Sequence, residues 1–209
     1  FIEGPGLLFL KVKITKDPPD ARALIDYWAK EGATSYKVYM NIPRATLAAV
    51  VEEAHKRKHK VTGHLCSITY REAADLGIDN LEHGFLAATD FVKDKVPDTC
   101  PKQPDSLNSL ASLDPDGSEA NALIDHLVAK RVALTSTLTI FETFAASRPI
   151  AAGGALELLT PDLREQYLAR WSTIAQRGKN QWSDLLRVGM RLEKRFVEAG
   201  GHLMAGTDP

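Results

Sequence analysis

The sequence has little cysteine, no surplus of charge and no long apolar run. Cys66 and Cys100 are its two cysteines. They form no CxxC unit, which leaves no zinc-ribbon or redox motif and no disulfide framework. Such sparse cysteine fits a reducing compartment, so a cytoplasmic location is slightly favoured. The formal net charge is -1, without the basic excess that nucleic-acid or membrane-surface binding usually needs. No apolar stretch is long enough to span a bilayer. No basic segment followed by an apolar core marks a signal peptide. No GxGxxG follows the first expected strand, so a dinucleotide-binding fold gains no support. No internal repeat or low-complexity tract is visible. The chain opens on Phe1 rather than Met, and it is expected to be an internal piece of a longer protein.

What is there is an ordinary globular composition, 209 residues with 44% hydrophobic and 25% charged side chains. That is enough to bury one core, so a single domain is expected over residues 1–209. Strand and helix patterns alternate. Residues 7–14 read as a strand. Asp17-Pro18-Pro19-Asp20 is a turn leading into a helix over about residues 21–31, closed by Gly32. A strand over residues 35–39 follows. Pro43 opens a helix whose Leu47, Val50, Val51 and Ala54 recur at i, i+3, i+4 and i+7. Strands ending at His64 and His83 come next, separated by a short helix over residues 70–76. Residues 92–117, rich in Pro, Asp and Ser, read as a long loop. Ser118 is placed to cap a helix to about Lys130, with Leu123 and Leu127 on its buried side. Residues 131–139 read as another strand. Residues 141–180 are expected to be a helical insertion of mixed polarity. Residues 181–199 form a helix with Leu185, Gly189, Leu192 and Phe196 on one stripe, and a last strand holds His202 to Ala205.

Six strands separated by helical crossovers predict an α/β fold with a parallel sheet. Four of these strands run into a polar residue that a metal could use. They are Ser35-Tyr36-Lys37-Val38-Tyr39, Lys60-Val61-Thr62-Gly63-His64, Asn80-Leu81-Glu82-His83 and Met204-Ala205-Gly206-Thr207-Asp208. In a (β/α)8 TIM barrel the catalytic groups sit where strands end, at the carboxyl face. An open sheet puts its site in one crevice between neighbouring strands. Candidate ligands on four strands suit the closed barrel better.

Strand side chains alternate between faces. Lys37 then shares a face with Ser35 and Tyr39, His64 with Thr62 and Cys66, His83 with Leu81, and Asp208 with Met204 and Gly206. An ammonium pointing into a barrel is costly. One remedy is reaction of the neutral amine with carbon dioxide. The resulting carbamate has two oxygens that can bridge two divalent ions. Neutral imidazoles of His64 and His83 can bind one of those ions. Asp208 can ligate a metal and accept the proton of an attacking water. The metal lowers the pKa of that water and polarises the scissile carbonyl.

In this order the stretches Tyr36-Lys37-Val38-Tyr39, Val61-Thr62-Gly63-His64, Leu81-Glu82-His83-Gly84 and Ala205-Gly206-Thr207-Asp208 resemble the amidohydrolase superfamily. More narrowly, they look like its imidazolonepropionase-like and prolidase-like members. The resemblance implies a carbamylated Lys37 on the fourth barrel strand, histidine ligands His64 and His83 on the fifth and sixth, and a metal-binding, proton-shuttling Asp208 on the eighth. It implies one or two divalent ions, zinc first, with manganese, iron or cobalt as alternatives. The expected reaction is hydrolysis of an amide-type C–N bond, in a cyclic amide or small dipeptide, by a metal-activated hydroxide. Tyr39 is added as a candidate substrate contact. The resemblance places the chain from about strand 3 to strand 8, an incomplete barrel. It also exposes a departure: the family's first strand carries a His-x-His pair, and no such pair occurs in this sequence. A barrel missing strands leaves unpaired edges that invite pairing with another chain. A homo-oligomer is therefore one expectation, and activity of this piece alone is not expected.

Blander readings stand beside each residue. Lys37 could face solvent on an edge strand, and Asp208 could cap a turn in Gly-Thr-Asp-Pro. His202 reads as structural, and His126, on a helix, as exposed. The basic run His55-Lys56-Arg57-Lys58-His59-Lys60 reads as a solvated helix terminus rather than a phosphate site. Cys66 reads as a small buried thiol, and Tyr70 as a lesser candidate for substrate contact. Two other functions compete with the hydrolase. One is a catalytically inactive partial barrel acting as a binding or interaction module, favoured by the missing His-x-His. The other is a phosphate-binding barrel isomerase, for which Gly153-Gly154 is a poor anion site.

Overall fold

In the computed structural model, which describes residues 2–3, 13–146, 148–178 and 180–208, seven parallel strands make one sheet. They are β1 (Ile2–Glu3), β2 (Lys13–Ile14), β3 (Ser35–Val38), β4 (Lys60–Gly63), β5 (Asn80–Glu82), β6 (Ala133–Ser136) and β7 (Leu203–Ala205). The order across the sheet is β2-β1-β3-β4-β5-β6-β7. From β3 to β7 neighbours follow chain order, as successive βα units dictate. At the other edge β1 lies between β2 and β3, one strand more than the sequence suggests. Most of the strand expected over residues 7–14 lies outside the described residues; its last two residues are β2. Among the described residues no pairing joins β2 to β7, so the sheet is parallel and open-edged.

The helices follow from local chemistry. They are α1 (Pro18–Lys30), α2 (Arg44–Lys56), α3 (Tyr70–Asp75), α4 (Gln103–Ala111), α5 (Ser118–Ala129), α6 (Leu138–Glu142), α7 (Gly153–Glu157), α8 (Pro161–Gln176) and α9 (Gln181–Glu198). The Pro-Pro pair read as a turn is the first turn of α1, where the missing N–H groups cost nothing. Asp17 caps it, accepting from the Asp20 N–H at 2.9 Å. The supposed loop 92–117 contains α4, because Pro104 sits at a helix start rather than a break and Leu110 is fully buried. Ser118 is the first helical residue of α5 and not its cap, which is Gly117. The strand expected over residues 131–139 ends early, since α6 begins at Leu138.

One face of the sheet carries the core. Val38, Val61, Leu81 and Leu134 are each 0% exposed, and they meet buried residues of the helices such as Ile25, Leu47, Val50, Leu127, Leu192 and Phe196. Each such large side chain contributes roughly 1.5–3 kcal/mol by leaving water. The other face is polar. Lys37 lies beside Thr62, Thr62 beside Asn80, and Glu82 beside Thr135. Thr62 donates to Glu82 at 2.6 Å, and the Asn80 amide donates to Thr62 at 2.7 Å and Thr135 at 2.9 Å. Cys66 and Cys100 form a disulfide across 34 residues of chain, which corrects the free-thiol reading of Cys66 and withdraws the support that sparse cysteine lent to a reducing compartment. No helix among the described residues is long and apolar enough to cross a membrane.

Candidate metal centre

The carboxyl ends of β3, β4, β5 and β7 bring Lys37, His64, His83 and Asp208 together. The rings of His64 and His83 are 4.2 Å apart, edge to face. Tyr39 lies on the other side of His64 at 5.0 Å. The Asp208 carboxylate is 3.8 Å from His83 Nδ1. Lys37 is half-buried and close enough to act electrostatically on both imidazoles.

Simple alternation puts His83 on the same face as Leu81, and Leu81 belongs to the core. The structure resolves this conflict with the backbone. β5 stops at Glu82, and His83 takes a left-handed conformation at φ +69°. Its ring therefore swings back to the polar face against His64. A side chain in that region carries a cost of about 1–2 kcal/mol, so the turn needs support. The Tyr70 hydroxyl, fully buried, sits 2.9 Å and 2.8 Å from the carbonyl oxygens of Glu82 and Gly84 and donates between them. Tyr70 is thus a clamp on the His83 turn and not a substrate contact. The Gly84 N–H donates to Thr135 O at 2.9 Å.

Two carboxyl neighbours of this turn, one half-buried and one buried, escaped the sequence reading. Glu82 faces the polar side beneath the histidines. Glu193, on α9, is 4% exposed and lies directly under Gly84. Burial raises its pKa above the ordinary carboxylate range, although Ser136 hydrogen-bonds to it. Its Oε1 has no hydrogen-bond partner among the described residues. A signal for Glu193 existed: it stands four residues after Gly189 and three before Phe196, inside the stripe of α9 that the periodicity marks as buried.

Both imidazoles are held neutral. Burial, then the charges of His83 and Lys37, lower His64 from 6.5 to about 3. Burial also lowers His83, outweighing the opposing pull of Asp208. His83 Nδ1 shares a hydrogen bond of 2.8 Å with the Thr137 hydroxyl, which orients the ring and leaves Nε2 for another partner. The sign of the pH effect follows. Below pH 6.5 the unfolded chain takes up a proton that folded His64 refuses until about pH 3. Stability is therefore complete above 6.5 and falls through that window, by at most about 1.4 kcal/mol per pH unit for this group. Urea midpoints of metal-free protein at about pH 7 and about pH 4 check this. The expected result is a smaller acid loss in His64→Gln than in the wild type. An identical loss in both contradicts the assignment.

Other polar residues take the blander roles. Asp79 pairs with His55 and Lys60, at 2.8 Å and 2.7 Å. Arg57 pairs with Asp26 and Glu53, so much of the basic run is spent on ion pairs rather than on a phosphate. His126 meets Asp75 at 3.1 Å and is only partly exposed. His202 is exposed at the start of β7.

Among the described residues no group of three or more His, Cys, Asp or Glu side chains is gathered tightly enough to hold a metal ion by itself. His64 and His83 form a pair, with Asp208 alongside; the remaining candidate is a lysine, whose amine becomes an oxygen donor only as a carbamate.

No family model matches the sequence, and no curated protein matches it. Solved structures do resemble its fold. Bottromycin amidohydrolase superposes with a TM-score of 0.67 at 20% identity, over 99% of this chain and 44% of its own. The ochratoxinase of A. niger gives 0.53 at 13% identity, over 99% of this chain and 39% of its own. A further amidohydrolase gives 0.54 at 15% identity, over 94% of this chain and 38% of its own. The chain thus spans about two fifths of the length of the structures it matches, and what it shares with these solved amidohydrolases is their fold.

Proposed function

We propose that the chain is part of a metal-dependent hydrolase that cleaves an amide-type C–N bond, its sheet being the portion of a (β/α)8 barrel from about strand 3 to strand 8. The observation that carries this reading is the meeting of His64 and His83, ring to ring at 4.2 Å, with Lys37 and Asp208 beside them at the carboxyl ends of parallel strands. That is where barrel enzymes place their chemistry.

The donor set fits a divalent cation. Two imidazoles kept neutral by burial offer lone pairs where a cationic ring would repel the ion. Lys37, as a carbamate, and Asp208 would add oxygen donors and neutralise its charge. Zinc suits two imidazoles with oxygens best. When bound, the cation lowers the pKa of water and polarises the amide carbonyl. The protein's own work is then positional and protolytic. Thr137 fixes the ring plane of His83, and Tyr70 and Gly84 hold its turn. Asp208, 46% exposed at its side chain, takes the proton of the attacking water and passes it to the leaving nitrogen. Tyr39, packed on His64, borders the place where substrate would lie.

A second reading, a non-catalytic binding module, draws on the lack of a ready three-donor cluster among the described residues. Metal content separates the two. Protein purified without chelators is expected to carry about one or two zinc ions per chain. In the complete enzyme, hydrolysis of a panel of N-acyl amino acids and dipeptides should cease on chelation and return with zinc. Metal-free protein with unaltered properties favours the module and removes the hydrolase.

A further inference from the structure

Beyond the histidines the polar face meets a wall of aromatic rings. Phe141, in α6, stands edge-on to His83 at 6.2 Å. Trp182, at the start of α9, stacks on Phe141 at 5.8 Å and 20°. Phe144 lies against the same indole at 5.1 Å. Behind this wall α8 closes a cleft of about 330 Å³, lined by Phe144, Arg170, Thr173, Ile174, Arg177, Asn180 and Trp182. Residues 170, 173, 174 and 177 recur at i, i+3, i+4 and i+7, so one face of α8 together with its C-cap, Arg177, supplies a guanidinium at each end of the cleft and a hydroxyl and a methyl-rich side chain between. The two arginine positions are about 10 Å apart along the helix.

The lining of the cleft is cationic, with two exposed arginines. No Asp or Glu lines it among the described residues. Arg170 is held over the face of Phe144 at 5.4 Å, which orders its guanidinium without neutralising it. Asn180 is already committed: its amide donates to Phe144 O at 2.8 Å, and its oxygen accepts from the Ser183 N–H at the cap of α9. These bonds tie the Phe144 segment to α9 and fix the wall that faces the arginines. Arginine's planar fork matches a carboxylate better than any other side chain does.

We propose that this cleft is the specificity subsite of the enzyme: Arg170 and Arg177 bind a carboxylate of the substrate, whose apolar body lies along Phe141, Trp182 and Phe144 toward His83. Two aromatic layers separate the cleft from His83. The steps from His83 to Phe141 and from Phe141 to Trp182 are 6.2 Å and 5.8 Å, and an extended peptide advances about 3.3–3.6 Å per residue, so the carboxylate stands roughly three to four residues from the scissile amide. The substrate class is therefore a short, extended, peptide-like amide with an apolar or aromatic interior and a free carboxylate end. A single acyl amino acid is too short to engage both places. This inference rests on the hydrolase reading for its link to catalysis, but the carboxylate site itself does not need turnover.

The test compares N-acetyl-Ala-Phe-Phe with its C-terminal amide, by calorimetric titration of the full chain. The free acid is expected to bind about tenfold tighter or better, with Arg170→Gln and Arg177→Gln each removing most of that preference and the double variant abolishing it. Both arginines are exposed, and unchanged circular dichroism confirms folding. His64→Ala should keep the preference, since it leaves the cleft intact. Acid preference without any hydrolysis supports the subsite while the hydrolase reading fails. Equal affinity for acid and amide, or a preference that survives in the double variant, overturns the subsite whatever the catalytic result.

Discussion

In the complete hydrolase proposed for this chain, alanine at His64 or at His83 is expected to lower kcat by well over a hundredfold while far-UV circular dichroism stays near that of the wild type. Loss of an outer-shell partner of a metal ligand typically costs about 10–100-fold, and these two residues are proposed as ligands themselves. Neither ring supports the apolar core. His64 stands on the polar face between Tyr39 and His83. His83 is buried, bonded to Thr137 and edge-on to Phe141, so its truncation also loses some packing. Truncation of His64 therefore removes a proposed cation donor and little packing, and circular dichroism checks that His83→Ala keeps the fold. Thr137→Val provides the graded control, because it frees the His83 ring without deleting it; a loss within the outer-shell range is expected there. Turnover unchanged in His64→Ala or His83→Ala removes that histidine from the site.

The second large effect is structural and concerns the residue after His83. Gly84→Ala should destabilise the protein by about 2–3 kcal/mol or more. Gly84 has φ +55°, a conformation that costs a residue with a Cβ about 1–2 kcal/mol. A Cβ there would also fall 1.9 Å from Glu193 Oε1 and 2.9 Å from its Cδ. Glu193 cannot swing away into water, being 4% exposed. The two costs can be separated by a double-mutant cycle. In a Glu193→Ala background the clash is gone, and Gly84→Ala should cost only the backbone part. Equal penalties in both backgrounds, measured by urea unfolding, show that Glu193 does not press on this turn.

Much of the architecture was legible because apolar periodicity and strand-helix alternation are local signals. The helix with Leu47, Val50, Val51 and Ala54 and the helix with Leu185, Leu192 and Phe196 bury those residues as their spacing requires. Proline misled twice, at Pro18-Pro19 and at Pro104, because a proline that starts a helix and one that breaks it look alike without the flanking geometry. The edge of the sheet was not legible: β1 and β2 are two residues each, too short for alternation to register. At the site, the motif order named the side chains that meet. It did not name the means. His83 reaches His64 only through a left-handed turn, and strand alternation alone sends it to the wrong face. Tyr70, Glu82 and Glu193 support that turn or the layer beneath it through contacts between residues far apart in sequence, which spacing does not reveal. The pairing of Cys66 with Cys100 was missed for the same reason, since a lone pair of cysteines carries no pattern.

Lys37, His64, His83 and Asp208 are proposed to share one cation. Native mass spectrometry of protein purified without chelators, under conditions mild enough to retain carbon dioxide, reads it most directly. The expected spectrum shows bound zinc together with the added mass of one carbon dioxide, both lost in Lys37→Ala. A bare chain mass in the wild type, with neither addition, contradicts the claim.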